Sequence, residues 1–225
     1  MQYHQTRNAY HNQEKWRFDG IGYYEIPASP SVDVPLQDSK FLRFDFLMRE
    51  QHPEDKIVHF FTDDYMFERV WHDPARYLPI LARARAVVAP DFSLYSDYPR
   101  ITQIFNHFRK HWLSAYLTGM GVTVIPSPSW VMGDPSSFEW CFDGEPVGST
   151  ICVSTHGAIK GDERKRQFLE GWQEVTTRLQ PKRIYLYGDT FPGLDYAGGE
   201  LIHVTNEIMA AKRKYCRRDH GKRQE

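Results

Sequence analysis

The chain has 225 residues, of which 41% are hydrophobic, 25% charged and 15% aromatic. That is the composition of a folded globular protein, and it excludes disorder, collagen and coiled coil as overall descriptions. The length supports one sizeable core, since domains run about 100 to 200 residues, and no uninterrupted apolar run approaches the roughly 18 residues of a membrane span.

The net charge of −1 conceals an asymmetry, because residues 212–225 hold seven Lys and Arg against two acids, leaving 21 bases against 27 acids elsewhere. An acidic body with a basic terminal arm is not the pattern of a protein that coats nucleic acid. Such an arm can touch phosphates, or sit solvated where it suits the negative end of a helix dipole. The polar start, Met1 to Gly20, shows neither a signal peptide nor a membrane anchor. The cysteines, Cys141, Cys152 and Cys216, form no C-x-x-C pair, so no disulfide framework or zinc knuckle is indicated. These features predict a cytoplasmic protein in a reducing compartment, with no membrane partner.

Residues 1–40 read as an extended polar and Pro-rich lead-in, because GIGYYEIPASPSVDVPLQ is dense in residues that prevent a long helix. From Phe41 onward, short β-rich runs alternate with helical periods, which predicts a single α/β domain over 41–205 and a basic C-terminal helix or tail over 206–225. The candidate strands are FLRFDF (41–46), KIVHFF (56–61), AVVAP (86–90), VTVIP (122–126), STICVST (149–155) and RIYLYG (183–188), with LIHV (201–204) as a seventh. Between them, Asp73 caps a helix beginning at Pro74, with Tyr77, Leu78 and Leu81 facing inward. Ile101, Ile104, Phe105, Phe108, Trp112 and Tyr116 mark one face of a helix capped at Asp97. Phe168, Trp172, Val175 and Leu179 mark another, capped at Asp162 and closed by Pro181. Six or seven parallel strands with crossing helices predict parallel βα units in a compact or incomplete (βα) barrel-like fold, the preferred reading, or alternatively an open doubly wound sheet.

In both architectures ligands sit at the carboxyl ends of the strands, so the residues just past each strand are the candidates. They are Thr62, Asp63 and Asp64, then Asp91 and Ser93, then Ser127, Ser129 and Trp130, then Ser154, Thr155, His156 and Gly157, and finally Gly188 and Asp189. Asp91 leads, because a carboxylate directly after a buried strand is partly desolvated, which raises its pKa and suits acid/base work; a turn cap is the competing role. Asp189 is a candidate second carboxylate, with N-capping as its alternative. Asp63 and Asp64 are expected to cap the helical FERVW, a metal-holding role being the minority reading. His156 suits a general base or a phosphate contact, and Gly157 permits close approach of a ligand. His107 and His111 stand four apart on a helix, as metal ligands can, but Arg109 and Lys110 between them point to a solvent-facing stripe. Trp130 offers a ring to stack on a base or sugar, or else fills the core. No H-E-x-x-H, G-x-S-x-G, Walker loop or G-x-G-x-x-G is present, and no cofactor is assigned.

The runs HFFTDDYMFERVWHDPARYLPIL, VVAPDFSLYSDYP, QIFNHFRKHWLSAYLTGMGVTVIPSPSW and FEWCFDGEPVGSTICVSTHGAIK resemble a bacterial and phage domain-of-unknown-function family, family 4417, over roughly residues 20–190. PDFSLY and VIP with its following Trp are the most specific blocks. The resemblance implies a phage or mobile-element setting and no activity. In similar proteins the position of His156 is often apolar, which leaves Asp91, Asn106, Arg109 and Trp130 as the better candidates for a shared site.

Three functional readings result. The first is an enzyme centred on Asp91, with Asp189 as partner, Asn106 or Arg109 positioning an anionic substrate and Trp130 stacking on it; a nucleotide or nucleic-acid-derived substrate is the natural class. The second is a non-catalytic interaction or DNA-binding accessory protein acting through the basic tail. The third is a metal-dependent hydrolase using Asp63, Asp64, Asp91 and His156.

Overall fold

The computed structural model describes residues 12–13 and 16–205, so the basic tail, the reading that rests on it and Cys216 lie outside the described residues. In chain order the elements are β1 (Gly20–Ile21), β2 (Ile26–Pro27), β3 (Lys40–Arg43), α1 (Phe44–Leu47), β4 (Lys56–His59), α2 (Glu68–His72), α3 (Pro74–Leu81), β5 (Ala86–Val88), α4 (Arg100–Gly119), β6 (Val124–Ile125), β7 (Thr150–Ser154), α5 (Asp162–Leu179), β8 (Arg183–Tyr187) and β9 (Glu200–Val204). The strands fall where the apolar runs predict them. FLRFDF is the exception: its strand stops at Arg43, and Phe44 and Leu47, three apart, turn onto one buried side as a short helix.

β3, β4, β5 and β6 form one parallel sheet, and β7, β8 and β9 a second. A backbone bond from Cys152 N–H to the Pro126 carbonyl, 2.9 Å, joins them where no ladder does. Among the described residues no pairing closes β9 onto β3, so the fold is an incomplete βα arrangement rather than a closed barrel.

Because successive strand residues point to opposite faces, each strand feeds two cores. Ile57, Phe61, Ala86, Val88, Ile125, Cys152, Tyr185 and Tyr187 fill one apolar cluster that both sheets share, with Phe41, Ile202 and Val204 at its edge. Phe41 of β3 meets Tyr185 of β8 at 5.3 Å between ring centroids, so that face is covered by strand against strand and not by the second helical layer of a doubly wound sheet. The alternate residues Val58, Val87 and Val124 face α1 to α4, packing on Phe44, Trp71, Leu81, Trp112 and Leu117. Ile151, Val153, Ile184 and Leu186 face α5 through Phe168, Trp172, Val175 and Leu179.

The lead-in seals the amino ends of the strands. Val34 N–H donates to Thr150 Oγ1 at 3.1 Å, and Tyr185 Oη–H donates to the Val34 carbonyl at 2.7 Å. Arg85 donates to the Pro35 carbonyl and to Ser39 Oγ, both at 2.9 Å. Val32, Val34 and Leu36 complete the shared cluster from below.

Two expected caps are corrected and one holds. α4 starts after Pro99, with no side-chain cap from Asp97, because the fixed φ of proline already sets the entry. Asp162 is the first helical residue of α5, and Gly161 at φ +98 is its N-cap. Asp73 Oδ1 accepts from Arg76 N–H at 3.4 Å, as predicted.

Gly171 in α5 has a packing reason. A Cβ there would lie 2.2 Å from ring atoms of Trp130, so the indole occupies the space a side chain would need. Gly171→Ala is therefore expected to destabilise the protein by about 1–3 kcal/mol through overpacking, although alanine gains about 1 kcal/mol in helix propensity. Urea unfolding checks this, and adding Trp130→Leu should recover most of the loss.

Candidate functional site

The site is built from α4 and the segments that follow β4, β5 and β6. α4 carries an apolar stripe and, opposite it, a polar one: Gln103, Asn106, His107, Lys110, His111 and Ser114, all 3% exposed or less. The expected solvent-facing histidine stripe is thus buried. It is covered by β2 and by the turn at Gly144, where φ is +78 and a Cβ would stand 2.6 Å from the Pro27 carbonyl and 2.8 Å from His111 Nδ1. His107 bonds the Asp143 carbonyl through Nε2 at 3.0 Å.

Lys110 is the centre of this stripe. Its ammonium donates to the Ser127 carbonyl at 2.9 Å and to Glu145 Oε1 at 2.8 Å, and it lies 3.5 Å from Ser129 Oγ. His111 Nε2 also approaches Glu145 Oε1, at 3.2 Å. Burial opposes the charge on Glu145, but the combined pull of Lys110 and His111 outweighs it and holds the carboxyl down at about 2. Burial pushes His107 and His111 down, for His111 against the opposing pull of Glu145.

Asp91 stands past the end of β5, partly buried, with the Ser129 hydroxyl among the groups that favour its charged form. Burial pushes its carboxyl up to about 6. Lys110 pulls it down, while Asp64 and Glu145 add to the rise. The next residues are fixed from two sides. Ser93 donates to Asp64 through its N–H at 3.1 Å and its Oγ–H at 2.8 Å, and Asn106 Nδ2 donates to the Ser93 carbonyl at 2.7 Å. Arg109 donates to Asn106 Oδ1 at 2.6 Å, pairs with Glu68, and lies 3.9 Å over the Phe92 ring. Desolvation raises Asp64 too, against its Ser93 bonds.

The structure therefore gathers Asp91, Ser93, Asn106 and Arg109 at one place, where Asn106 and Arg109 hold the Asp91–Ser93 segment. Asp64 reaches across to Ser93 and does not cap, and Asp63 makes no side-chain cap bond. Asp189 instead lines an open hollow with Ile159, Lys165, Thr190, Phe191 and Pro192. His156 is exposed beside Gly157, its N–H donating to Ser154 Oγ at 3.1 Å. Trp130 is 7% exposed and packs on Phe168 and Gly171. Among the described residues, no three His, Cys, Asp or Glu side chains assemble in a metal-holding group, Asp63, Asp64, Asp91 and His156 included.

Sequence reasoning missed Lys110 and Glu145, and also His59. The last lies inside β4 at 2% exposure, its ring 4.4 Å from Tyr187 and 5.3 Å from Phe61. Burial pushes it down to about 3, and its Nδ1 accepts from Phe61 N–H at 3.2 Å, so the neutral ring carries its proton on Nε2. Its signal was positional, because Ile57, His59 and Phe61 alternate on the inward face.

A family model for a domain of unknown function (DUF4417) matches residues 18–204. The chain is 33% identical over 190 residues to the Gene 1 protein of Mycobacterium phage D29, covering 80% of this chain and 70% of that protein. It is 38% identical over 175 residues to the Gene 1 protein of Mycobacterium phage L5, covering 76% and 74%. No solved structure matches. Among the described residues no helix is long and apolar enough to cross a membrane.

The raised carboxyl of Asp91 has a stability consequence with a definite sign. Its folded value of about 6 lies above the ordinary 3.8, so the native state binds the proton more tightly than the unfolded chain does. The penalty is absent below the lower value, grows as pH rises between the two, and is complete above the upper one. Asp91→Asn is therefore expected to be more stable than wild type by about 1–3 kcal/mol at about pH 8, with the difference vanishing near about pH 4. Thermal unfolding of both proteins across that range measures it.

Proposed function

The chain belongs to the domain-of-unknown-function family DUF4417, and from the site its fold builds we propose an enzyme that acts on a nucleotide or nucleic-acid-derived substrate, with Asp91 as the proton-transferring group. One observation carries the reading: a partly buried carboxyl at the end of β5 whose pKa of about 6 is close to neutrality. A group so placed can take a proton and give it back within one turnover, the requirement for general acid/base catalysis.

Asp64 supplies the neighbouring negative charge that helps to raise Asp91, the role first expected of Asp189. Two carboxylates in unequal environments divide acid and base duties more readily than two in equal ones. Asn106 and Arg109 support Asp91 from beneath by fixing the Ser93 segment.

The substrate class is supported by aromatic residues in the same segments. Tyr65 follows Asp64, and Tyr95 and Tyr98 follow Ser93; they are 75%, 52% and 39% exposed. Gln103 donates through Nε2 to the carbonyls of Tyr95 and Tyr98, at 2.9 and 3.1 Å, which holds this turn in place before any ligand arrives. Exposed aromatic faces bind bases by stacking, worth about 1–3 kcal/mol per base. The phage origin of the relatives fits such a substrate.

Thermal shift with nucleosides, nucleotides and short oligonucleotides tests the proposal, since a ligand at about 100 times its Kd stabilises by about 2.7 kcal/mol. At least one of these classes is expected to raise the wild-type Tm, and Tyr95→Ala with Tyr98→Ala to reduce that rise. Turnover of the ligand so found should fall by about 10²–10⁴-fold in Asp91→Asn and show a pH limb near about 6 in wild type. Absence of any shift across the three ligand classes would contradict the substrate class, and full turnover in Asp91→Asn would contradict the role of Asp91.

A further inference from the structure

The buried charges behind Asp91 form a chain whose order matters. Asp91 follows β5, whose Ala89 N–H bonds the Ile125 carbonyl at 2.8 Å, so it runs beside the Ser127–Ser129 segment that follows β6, and Ser129 Oγ stands 3.5 Å from Lys110 Nζ. That ammonium is 2.8 Å from Glu145 Oε1, with both side chains at or below 2% exposure. His111 Nε2 lies 3.2 Å from the same oxygen without hydrogen-bond geometry, and Glu145 Oε2 is buried without a hydrogen-bond partner. An unmet oxygen on a buried carboxylate is costly, even where a neighbouring ammonium holds the group in its charged form. Its presence calls for a role beyond filling space.

The electrostatics supply that role. An ammonium close to a carboxylate ordinarily holds the carboxylate in its charged form. Here the Lys110 charge is shared with Glu145, a second anion that also acts on Asp91 directly. The charged and titratable groups facing Asp91 are Lys110 from α4, Asp64 from the segment after β4, Glu145 from the turn before β7, and Cys152 of β7, alongside the Ser129 hydroxyl. Lys110 is the cation in this set, and Glu145 is the group bonded to it.

We propose that Glu145 is a positioning residue for Asp91: by engaging the Lys110 ammonium it withholds that charge from the Asp91 carboxyl, which stays able to carry a proton. Lys110 in turn anchors the segment after β6 through the Ser127 carbonyl without converting Asp91 into a fixed anion. The inference rests on the reading of Asp91 as the proton-transferring group, yet it concerns a property measurable without substrate.

Carbon NMR titration of the Asp91 carboxyl, in wild type, Glu145→Gln, Lys110→Met and the double variant, tests it directly. In Glu145→Gln the uncompensated ammonium pairs with Asp91, and the midpoint falls by about one pH unit or more. In the double variant both charges are gone, and the midpoint stays within about half a unit of wild type. Lys110→Met alone raises it. The double variant is expected to fold, because removing both charges leaves no uncompensated ion in the interior. Should Glu145→Gln not fold, Lys110→Met against wild type carries the test.

An unchanged Asp91 midpoint in Glu145→Gln, or in Lys110→Met, would overturn the proposal, since Glu145 would then be a packing residue only. The pH limb of turnover should move with the NMR midpoint in Glu145→Gln. A midpoint that moves while no nucleoside, nucleotide or oligonucleotide binds wild type would leave this inference standing and remove the functional reading instead.

Discussion

The polar interior of this protein is organised by one buried ion pair, Lys110 with Glu145 at 2.8 Å. Removing either partner of such a pair leaves an uncompensated charge in a low-dielectric interior, at a cost of about 3–5 kcal/mol. Its partners must therefore be delivered accurately. α4 delivers Lys110 and His111, the turn at Gly144 delivers Glu145, and the end of β6 delivers the Ser127 carbonyl. The close approach of Pro27 and His111 to Gly144 fixes that turn, which makes β2 and the covering of α4 part of the same arrangement.

From that arrangement the two ends of the strands take different tasks. At the amino ends, Val32, Val34 and Leu36 plug the shared apolar cluster, held by side-chain bonds to Thr150, Tyr185 and Arg85. These contacts serve packing, and Asp33 of the same segment pairs with Lys182 and Arg183 beside them. At the carboxyl ends the chain tolerates what a packing role alone would avoid: raised carboxyls at Asp91 and Asp64 and a neutral histidine among aromatic rings at position 59. Groups whose pKa values are displaced by burial and by named neighbours concentrate at functional sites, though structural networks displace them too. Under the proposed reading, what points to a site is their place at strand ends, in the segments that also carry the exposed Tyr65, Tyr95 and Tyr98.

Strands were legible because alternation and apolar runs are local properties. β4, β5, β7 and β8 stand where KIVHFF, AVVAP, STICVST and RIYLYG predict them. Asp91 was legible for the same reason, being the first ionisable residue past a buried strand. Lys110 was not, because a polar stripe at helical spacing looks the same whether water or protein covers it. Its cover comes from Pro27, Ser29 and Asp143 to Glu145, too far along the chain for any local pattern to pair them. The caps at Asp97 and Asp162 failed for a related reason: Pro99 and Gly161 set the backbone entry themselves. Asp189 was legible as a candidate second carboxylate from strand-end topology, whereas the bond from Ser93 to Asp64, 29 residues apart, was not, because no local pattern pairs the two segments.

A double-mutant cycle on Lys110→Met and Glu145→Gln, read by urea unfolding at neutral pH, measures whether this pair organises the interior. Lys110→Met is expected to lose about 3–5 kcal/mol and Glu145→Gln less, because Asp91 takes up the freed ammonium, and the double variant to recover most of the larger loss, a coupling of about 2 kcal/mol or more. Losses that simply add in the double variant would contradict it, because the two side chains would then stabilise the protein independently.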